Sequence, residues 1–153
     1  MGDILAESGL TVCCAESCTG GLIGAEITSR PGASAFFLGS AVTYSNSAKE
    51  SILGVPAGIL AAYGAVSSQT ALCMARGARK LYGADLSVAV TGIAGPGGAT
   101  ETKPVGLVYV AVSFDGGEDV REFRFFGTRD DVRRSTVAAA MEMLAEAASR
   151  AKQ

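Results

Sequence analysis

The sequence predicts an α/β fold in which helices cover both faces of a mixed, mostly parallel sheet of about five strands, giving three layers (α/β/α). The first observation is the order of its segments, β-α-β-α-α-β-β-β-α, because strands separated by helices favour parallel pairing. The second is the turn Asp115–Gly117 between two β-rich segments, which adds antiparallel pairing late in the chain. The third is length and composition. The chain has 153 residues, 48% of them hydrophobic, and no linker or repeat, so we expect one domain over residues 1–153.

The early segments are short and apolar. A strand is predicted over Thr11–Ala15 and a helix over Leu22–Thr28, which ends before Pro31 because proline disfavours helix in the residue that precedes it. The apolar, β-rich stretch Ala35–Tyr44 predicts a buried strand.

Two helices are predicted in the middle of the chain. Asn46 or Ser47 can cap the first, which runs through Leu53, with Glu50 three residues after Ser47 as in a capping box. Ser67 or Ser68 opens the second and Gly83 is placed to end it. The apolar positions of this second helix recur every three to four residues: Ala71, Ala75, Ala78 and Tyr82.

The last third of the chain predicts three strands and a long helix. The strands cover Leu86–Thr91, Gly106–Phe114 and Val120–Phe126. Thr128 with Asp131 starts the helix. Its expected inner stripe is Val132, Thr136, Ala140, Met143, Leu144 and Ala147.

Composition excludes several function classes. The formal net charge of −2 gives nucleic-acid binding no electrostatic support. The chain contains no histidine, which excludes a Ser-His-Asp triad, a Cys-His pair and any His-ligated metal. The four cysteines form no CxxC pair, so we expect free thiols in a reducing cytoplasm rather than a zinc site. No signal peptide or membrane-length apolar run is visible, which predicts a cytoplasmic protein without a membrane partner.

The segment Ala15–Gly21 (AESCTGG) leads from a strand into a helix and is the first place that could carry chemistry. Ligands usually bind at such a turn in α/β folds. Ser17 could attack a carbonyl group while the first amides of the helix hold the oxyanion. The alternative is that Ser17 or Thr19 simply caps the helix, and spacing alone favours the cap.

The second place is the segment that contains Tyr44 and Lys49. A lysine that acts as a base near pH 7 needs its pKa lowered by roughly 3 units, about 4 kcal/mol. A helix start supplies roughly 0.3–1 kcal/mol of this, up to about 2 if partly buried, so burial must supply the rest. Tyr44 could carry a proton or donate a hydrogen bond. The alternative is a solvated lysine and a strand-end aromatic residue, which the segment alone favours.

The third place is the glycine-rich stretch Thr91–Gly98, which follows a strand and matches neither Walker A nor GxGxxG. Its backbone could wrap a ligand such as a phosphate, or form a flexible surface loop, and the sequence favours neither. Arg133 and Arg134 could pair with Asp130 or Asp131, which is the favoured interpretation, or meet an anionic ligand.

Taken together, the segments resemble the C-terminal domain of the CinA family, the nicotinamide-nucleotide amidases also called PncC. The resemblance runs from about residue 10 to about residue 147. Five motifs in the right order carry it: AESCTGG (Ala15–Gly21), VTYSNSAK (Val42–Lys49), GAVS (Gly64–Ser67), TGIAGPGG (Thr91–Gly98) and KPVG (Lys103–Gly106). Many relatives carry a longer N-terminal helix where this sequence has Asp3–Ser8, so contacts made by that helix are in question.

The resemblance implies that the chain hydrolyses the carboxamide of nicotinamide mononucleotide to nicotinate mononucleotide and ammonia, without a metal or other cofactor. In this scheme Ser17 matches the nucleophile, Lys49 the base and Tyr44 the assisting tyrosine, and the absence of histidine fits it. Relatives also suggest a homo-oligomer. The residues expected to bind substrate are Thr19, Gly20 and Gly21 in the oxyanion and amide pocket, and Thr91, Gly92, Gly95, Arg133 and Arg134 near the ribose phosphate.

Two other functions compete with this one. The chain could be a non-catalytic module that binds a nucleotide or a protein partner, since the family's names connect it with competence. It could also be an amidase for another nucleotide or small amide.

Overall fold

The computed structural model describes residues 2–152 and confirms the three-layer arrangement around one five-stranded sheet. The strands are β1 (Val12–Glu16), β2 (Phe37–Val42), β3 (Leu86–Gly92), β4 (Leu107–Phe114) and β5 (Gly117–Arg124). The helices are α1 (Gly2–Ser8), α2 (Leu22–Thr28), α3 (Asn46–Leu53), α4 (Ala57–Tyr63), α5 (Ser68–Tyr82) and α6 (Arg129–Ala151), with a short 3₁₀ turn at Ala33–Ala35.

The sheet has the order β2-β1-β3-β4-β5. Strand β1 pairs in parallel with β2 and β3, whereas β4 pairs antiparallel with both β3 and β5. Four of the five strands therefore run in the same direction. Their C-terminal ends meet along one side of the sheet, which we call the carboxyl edge.

Side-chain alternation along the strands divides the core between the two faces. On β1, Val12 and Cys14 pack with α1, α2 and α6, while Cys13 and Ala15 pack with α3, α4 and α5. The predicted inner stripe of α6 is buried throughout, and so are the three alanines of the α5 stripe, while Tyr82 is half-buried. The predicted caps at Ser67, Gly83 and Thr128–Asp131 are confirmed.

Three local predictions are wrong. The strand over Ala35–Tyr44 is shorter, and it lies at an edge of the sheet. Among residues 2–152 no strand pairs with its outer side, and Leu38 and Val42 are each 44% exposed. The cap of α3 is Ser45, whose Oγ accepts from the amide of Ala48 at 3.1 Å, so no capping box forms on Ser47. Helix α4 was not predicted, because it is short and buries only Leu60.

The four cysteines are free thiols, three of them buried and Cys73 half-buried. None of the helices in residues 2–152 combines the length and apolar character needed to cross a bilayer. Within the same residues, no three acidic, cysteine or histidine side chains are grouped in a way that could hold a metal ion.

Candidate functional site

Ser17 lies at the carboxyl edge, directly after β1, in a tight turn that leads into α2. The amide of Gly20 donates to the carbonyl of Ser17 at 3.0 Å, and the amide of Leu22 donates to that of Thr19 at 3.1 Å. Gly20 and Gly21 have φ angles of 59° and 111°, a region that side chains rarely adopt, so the turn requires glycine at both positions. The Ser17 side chain is left near the surface of the site with 8% exposure.

The side chain of Glu16 forms hydrogen bonds to this turn from inside the protein, and the residue has no exposed surface. Its Oε1 accepts from the Thr19 hydroxyl at 2.7 Å, and its two oxygens together accept three amides at the start of α2, those of Gly21, Ile23 and Gly24. The Ser40 hydroxyl donates to Oε2 at 2.7 Å. A carboxylate is the favoured group at the positive end of a helix, so Glu16 neutralises the start of α2 from within the fold.

Lys49 extends from the first turns of α3 to Ser17 and is buried, with 1% exposure. Its Nζ lies 3.1 Å from Ser17 Oγ, 2.6 Å from the carbonyl oxygen of Thr43 and 3.3 Å from that of Tyr44. These three oxygens match the three protons of an ammonium group. In the neutral amine, the two carbonyls can retain the two N–H donors while the lone pair points at the Ser17 hydroxyl.

Burial lowers the pKa of the Lys49 amine from its ordinary value of 10.5, and the nearby Cys18 thiol acts in the opposite direction. Burial dominates because taking the ammonium out of water disfavours the charged form. The same cause raises the pKa of the Cys18 thiol to about 11. The arrangement therefore pairs an alcohol with an amine that loses its proton more readily than usual, beside a thiol that holds its proton.

The Tyr44 phenol does not join this pair. The residue is 64% exposed, and its hydroxyl lies 3.2 Å from Nη2 of Arg129. All three predicted catalytic residues lie among the described residues, and the Tyr44 hydroxyl makes no hydrogen bond to the other two. It is the carbonyl of Tyr44 that contacts Lys49. The structure therefore brings the side chains of Ser17 and Lys49 together and leaves that of Tyr44 apart from them.

The residues predicted to hold an oxyanion are engaged within the protein. The Thr19 hydroxyl donates to Glu16, and so does the amide of Gly21, while the amide of Gly20 closes the turn. The start of α2 is therefore not open to a ligand, because Glu16 already occupies it. Among residues 2–152, neither the amide of Cys18 nor that of Thr19 donates to a backbone carbonyl, and of these two residues only Cys18 has exposed surface.

The two predicted arginines have different positions. Arg133 donates to the carbonyls of Cys18 and Thr19, both at 3.1 Å, so it supports the Ser17 turn through its backbone. Arg134 is mostly exposed and pairs with Asp130 at 2.9 Å, as the favoured interpretation of the sequence expected. Arg133 is thus engaged with the backbone of the turn and Arg134 with a carboxylate of its own helix.

The glycine-rich loop after β3 starts at the carboxyl edge, as predicted, but its first residues have packing roles. The Thr91 hydroxyl donates to the carbonyl of Ala65 at 2.8 Å. A Cβ on Gly92 would lie 2.6 Å from Val108, so only glycine fits against β4. Gly95 is buried, and its carbonyl accepts from Arg129 at 2.8 Å.

Arg129 is the residue at this edge that the sequence analysis missed. As the first residue of α6, it links the Tyr44 hydroxyl to the Gly95 loop and so spans the ends of β2 and β3. The sequence feature that could have indicated a role for Arg129 is its charge, because the helix dipole disfavours a cation at the start of a helix. Glu16 was also missed, although an acid between an apolar strand and a helix start is typical of a cap.

Comparison with known proteins identifies the family. A family model described as the CinA C-terminal domain matches residues 1–148. The chain belongs to the CinA family. It is 52% identical over 141 residues to a CinA-like protein of Geobacter metallireducens and 53% identical over 141 residues to one of Citrifermentans bemidjiense. In both cases 92% of this chain matches 34% of the relative, so the chain spans about a third of the length of these curated relatives.

Solved structures of CinA proteins share the fold. The competence/damage inducible protein CihA of Agrobacterium tumefaciens is 47% identical with a TM-score of 0.91, over 94% of this chain and 88% of that one. A CinA superfamily protein of Klebsiella pneumoniae is 35% identical with a TM-score of 0.93, over 97% of this chain and 92% of that one.

Proposed function

We propose that this CinA chain is a serine amidase that hydrolyses the carboxamide of nicotinamide mononucleotide to nicotinate mononucleotide and ammonia. The observation that carries the proposal is the buried contact of 3.1 Å between Lys49 Nζ and Ser17 Oγ. A lysine that is 1% exposed beside a serine hydroxyl is typical of nucleophile activation, because burial favours the neutral amine that can accept a proton.

In the first half of the reaction, Lys49 Nζ accepts the Ser17 proton as Oγ attacks the carboxamide carbon. The tetrahedral intermediate then collapses, and the ammonium of Lys49 returns a proton to the departing nitrogen, which leaves as ammonia. An ester between Ser17 and the nicotinoyl group remains. In the second half, Lys49 accepts a proton from water as the water oxygen attacks the ester. Ser17 leaves with a proton from Lys49, and the acid is released.

The negative charge of both tetrahedral intermediates needs hydrogen-bond donors beside Ser17. The amide of Cys18 suits this role, because it directly follows the nucleophile, belongs to a residue with exposed surface and donates to no backbone carbonyl. The carbonyl of Ser17, which shares a peptide group with the Cys18 amide, accepts from the amide of Gly20, and Arg133 donates to the next carbonyl, that of Cys18. We therefore assign the oxyanion site to the amide of Cys18 rather than to those of Gly20 and Gly21.

For the substrate phosphate, Arg129 replaces Arg133 and Arg134 as the proposed cation. It is exposed at the carboxyl edge, and a guanidinium with five N–H donors has donors left after its contacts to Tyr44 and Gly95. The exposed ring of Tyr44 stands beside it, where it can contact the substrate. The glycine-rich loop would supply the opposite wall.

The test is ammonia release from nicotinamide mononucleotide in the presence of EDTA. Ser17→Ala and Lys49→Ala should each lower the rate by about 10³-fold or more. Ser34→Ala and Lys80→Ala, at exposed positions, are the matched controls and should retain the wild-type rate. A Ser17→Ala variant with near-normal turnover would exclude the covalent mechanism. Thermal stabilisation by the nucleotide without any product would instead indicate a binding module.

A further inference from the structure

Thr43, beside Lys49, carries a hydroxyl group that the fold does not use. Among residues 2–152, only Thr43 Oγ1 and Arg79 Nε are buried side-chain polar atoms without a hydrogen-bond partner in the protein. Thr43 has no exposed surface, and both of its backbone groups form hydrogen bonds. The amide donates to the carbonyl oxygen of Glu16 at 2.8 Å, and the carbonyl accepts from Lys49 Nζ at 2.6 Å. Such groups are rare in native proteins, and their occurrence needs a reason.

Strand alternation places this hydroxyl on the same face of the sheet as Ser17. On β2, Ala41 packs with Ala15 of β1 on the side of α3 and α5. Ser17 contacts Lys49 of α3 and so lies on that side, and the alternation of β2, continued two residues from Ala41, places the Thr43 side chain there too. The parallel register ends at the pair Glu16–Val42, and the amide of Thr43 donates to the carbonyl of Glu16, so Ser17 and Thr43 each directly follow paired residues of neighbouring strands. Lys49 Nζ contacts the Ser17 hydroxyl and the carbonyl oxygen of Thr43 from α3.

We propose that the Thr43 hydroxyl positions the water molecule that hydrolyses the acyl-enzyme. This inference rests on the proposed function. Once Ser17 is esterified, its oxygen carries no proton, and the lone pair of Lys49 is released to a new donor. A water in this place finds the Lys49 amine to take one proton and the Thr43 oxygen to accept the other. The water oxygen then forms the C–O bond, and Ser17 leaves with the proton from Lys49.

This role predicts different effects on the two halves of the reaction. Attack by Ser17 needs Lys49 but not the Thr43 hydroxyl, whereas attack by water needs both. Removal of the hydroxyl should therefore slow deacylation and leave acylation unchanged. A merely structural hydroxyl would affect both steps alike or neither.

The experiment follows p-nitrophenyl acetate hydrolysis by stopped flow, with mass spectrometry to locate the acetyl group. Thr43→Val, which keeps the shape of the side chain, should release one equivalent of p-nitrophenolate per chain at the wild-type rate. It should then turn over about tenfold more slowly, the loss expected for one hydrogen bond. Thr43→Ser should restore turnover. The valine variant should melt at or above the wild-type temperature, because the hydroxyl it lacks has no partner in the fold.

The outcomes distinguish the two proposals. If the wild type acetylates Ser17 and Thr43→Val deacylates as fast as wild type, the role of Thr43 is wrong and the amidase proposal stands. The same holds if both steps slow equally. If the wild type does not acetylate Ser17 at all, the proposed function fails, and the inference fails with it. Ser17→Ala in the Thr43→Val background should remove the initial release.

Discussion

Glu16→Gln tests how the fold holds the Ser17 turn. The carboxylate accepts five hydrogen bonds, of which the three to Oε1 come from Thr19, Gly21 and Ile23, and the two to Oε2 come from Gly24 and Ser40. A glutamine can place its side-chain oxygen where Oε1 lies, but its NH₂ group then takes the place of Oε2. There it faces the buried amide of Gly24, which is also a donor. The Ser40 hydroxyl can rotate and accept instead.

The expected loss of stability follows from these contacts. One buried amide without a partner costs about 1–3 kcal/mol. Loss of the negative charge at the helix start costs about 0.3–2 kcal/mol more, because the remaining bonds are no longer charge-assisted. We therefore expect the free energy of unfolding to fall by about 1–5 kcal/mol, a large fraction of the 5–15 kcal/mol typical of a domain. Activity should fall with it, since the turn carries Ser17.

Urea denaturation followed by circular dichroism measures this loss. The matched control is Glu26→Gln, which removes the same charge from an exposed position on α2 and should change stability by less than about 0.5 kcal/mol. A Glu16→Gln variant as stable as the wild type would refute the assigned role of the carboxylate. An equal loss in the control would show that helix charge alone, not the buried network, is responsible.

Three other perturbations have clear expected outcomes. Because burial lowers the pKa of Lys49, amidase activity should rise with pH to a plateau with a one-proton midpoint below 10.5. Activity should be lost as the pH falls through that midpoint, and a pH-independent rate would contradict this prediction. Burial raises the pKa of the Cys18 thiol to about 11, so a maleimide at pH 7.5 should label Cys73 first, as read by mass spectrometry; faster labelling of Cys18 would count against it. A Cβ on Gly77 would lie 1.9 Å from the carbonyl oxygen of Leu53 in α3, so Gly77→Ala should displace α3 and with it Lys49. The free energy of unfolding should fall by about 1–3 kcal/mol, and most of the activity should be lost. Gly58→Ala, with open space around it, should be neutral or stabilising by up to about 1 kcal/mol in the same denaturation assay, and equal losses in both variants would argue against the displacement.

Local patterns predicted most of the fold. The helix caps at Ser67 and Thr128 and the alternation of the strands are encoded within a few residues of each other, and the structure has them where expected. The position of a strand within the sheet is not local. Ala35–Tyr44 is apolar enough for a central strand, but the order of the sheet places β2 at the edge.

Local sequence patterns predicted less of the candidate site than of the fold. Ser17 and Lys49 are 32 residues apart, and spacing alone favoured a helix cap and a solvated lysine. Only the family resemblance paired them. The structure explains why the local interpretations fail. Glu16 accepts the amides at the start of α2, and Lys49 is buried against Ser17 and the carbonyls that follow β2. Arg129 is brought to the edge by contacts across 34 and 85 residues, which no sequence window reveals.

The central claim is that the neutral amine of Lys49 activates Ser17. The most direct measurement is the rate at which a fluorophosphonate modifies Ser17 as a function of pH, in the wild type and in Lys49→Arg. Arginine keeps hydrogen-bond donors in place but cannot give up its proton. The wild-type rate should rise with a single deprotonation, and the arginine variant should react at least about 100-fold more slowly at every pH. An arginine variant that reacts as fast as the wild type, or a wild type modified at another residue, would contradict the claim.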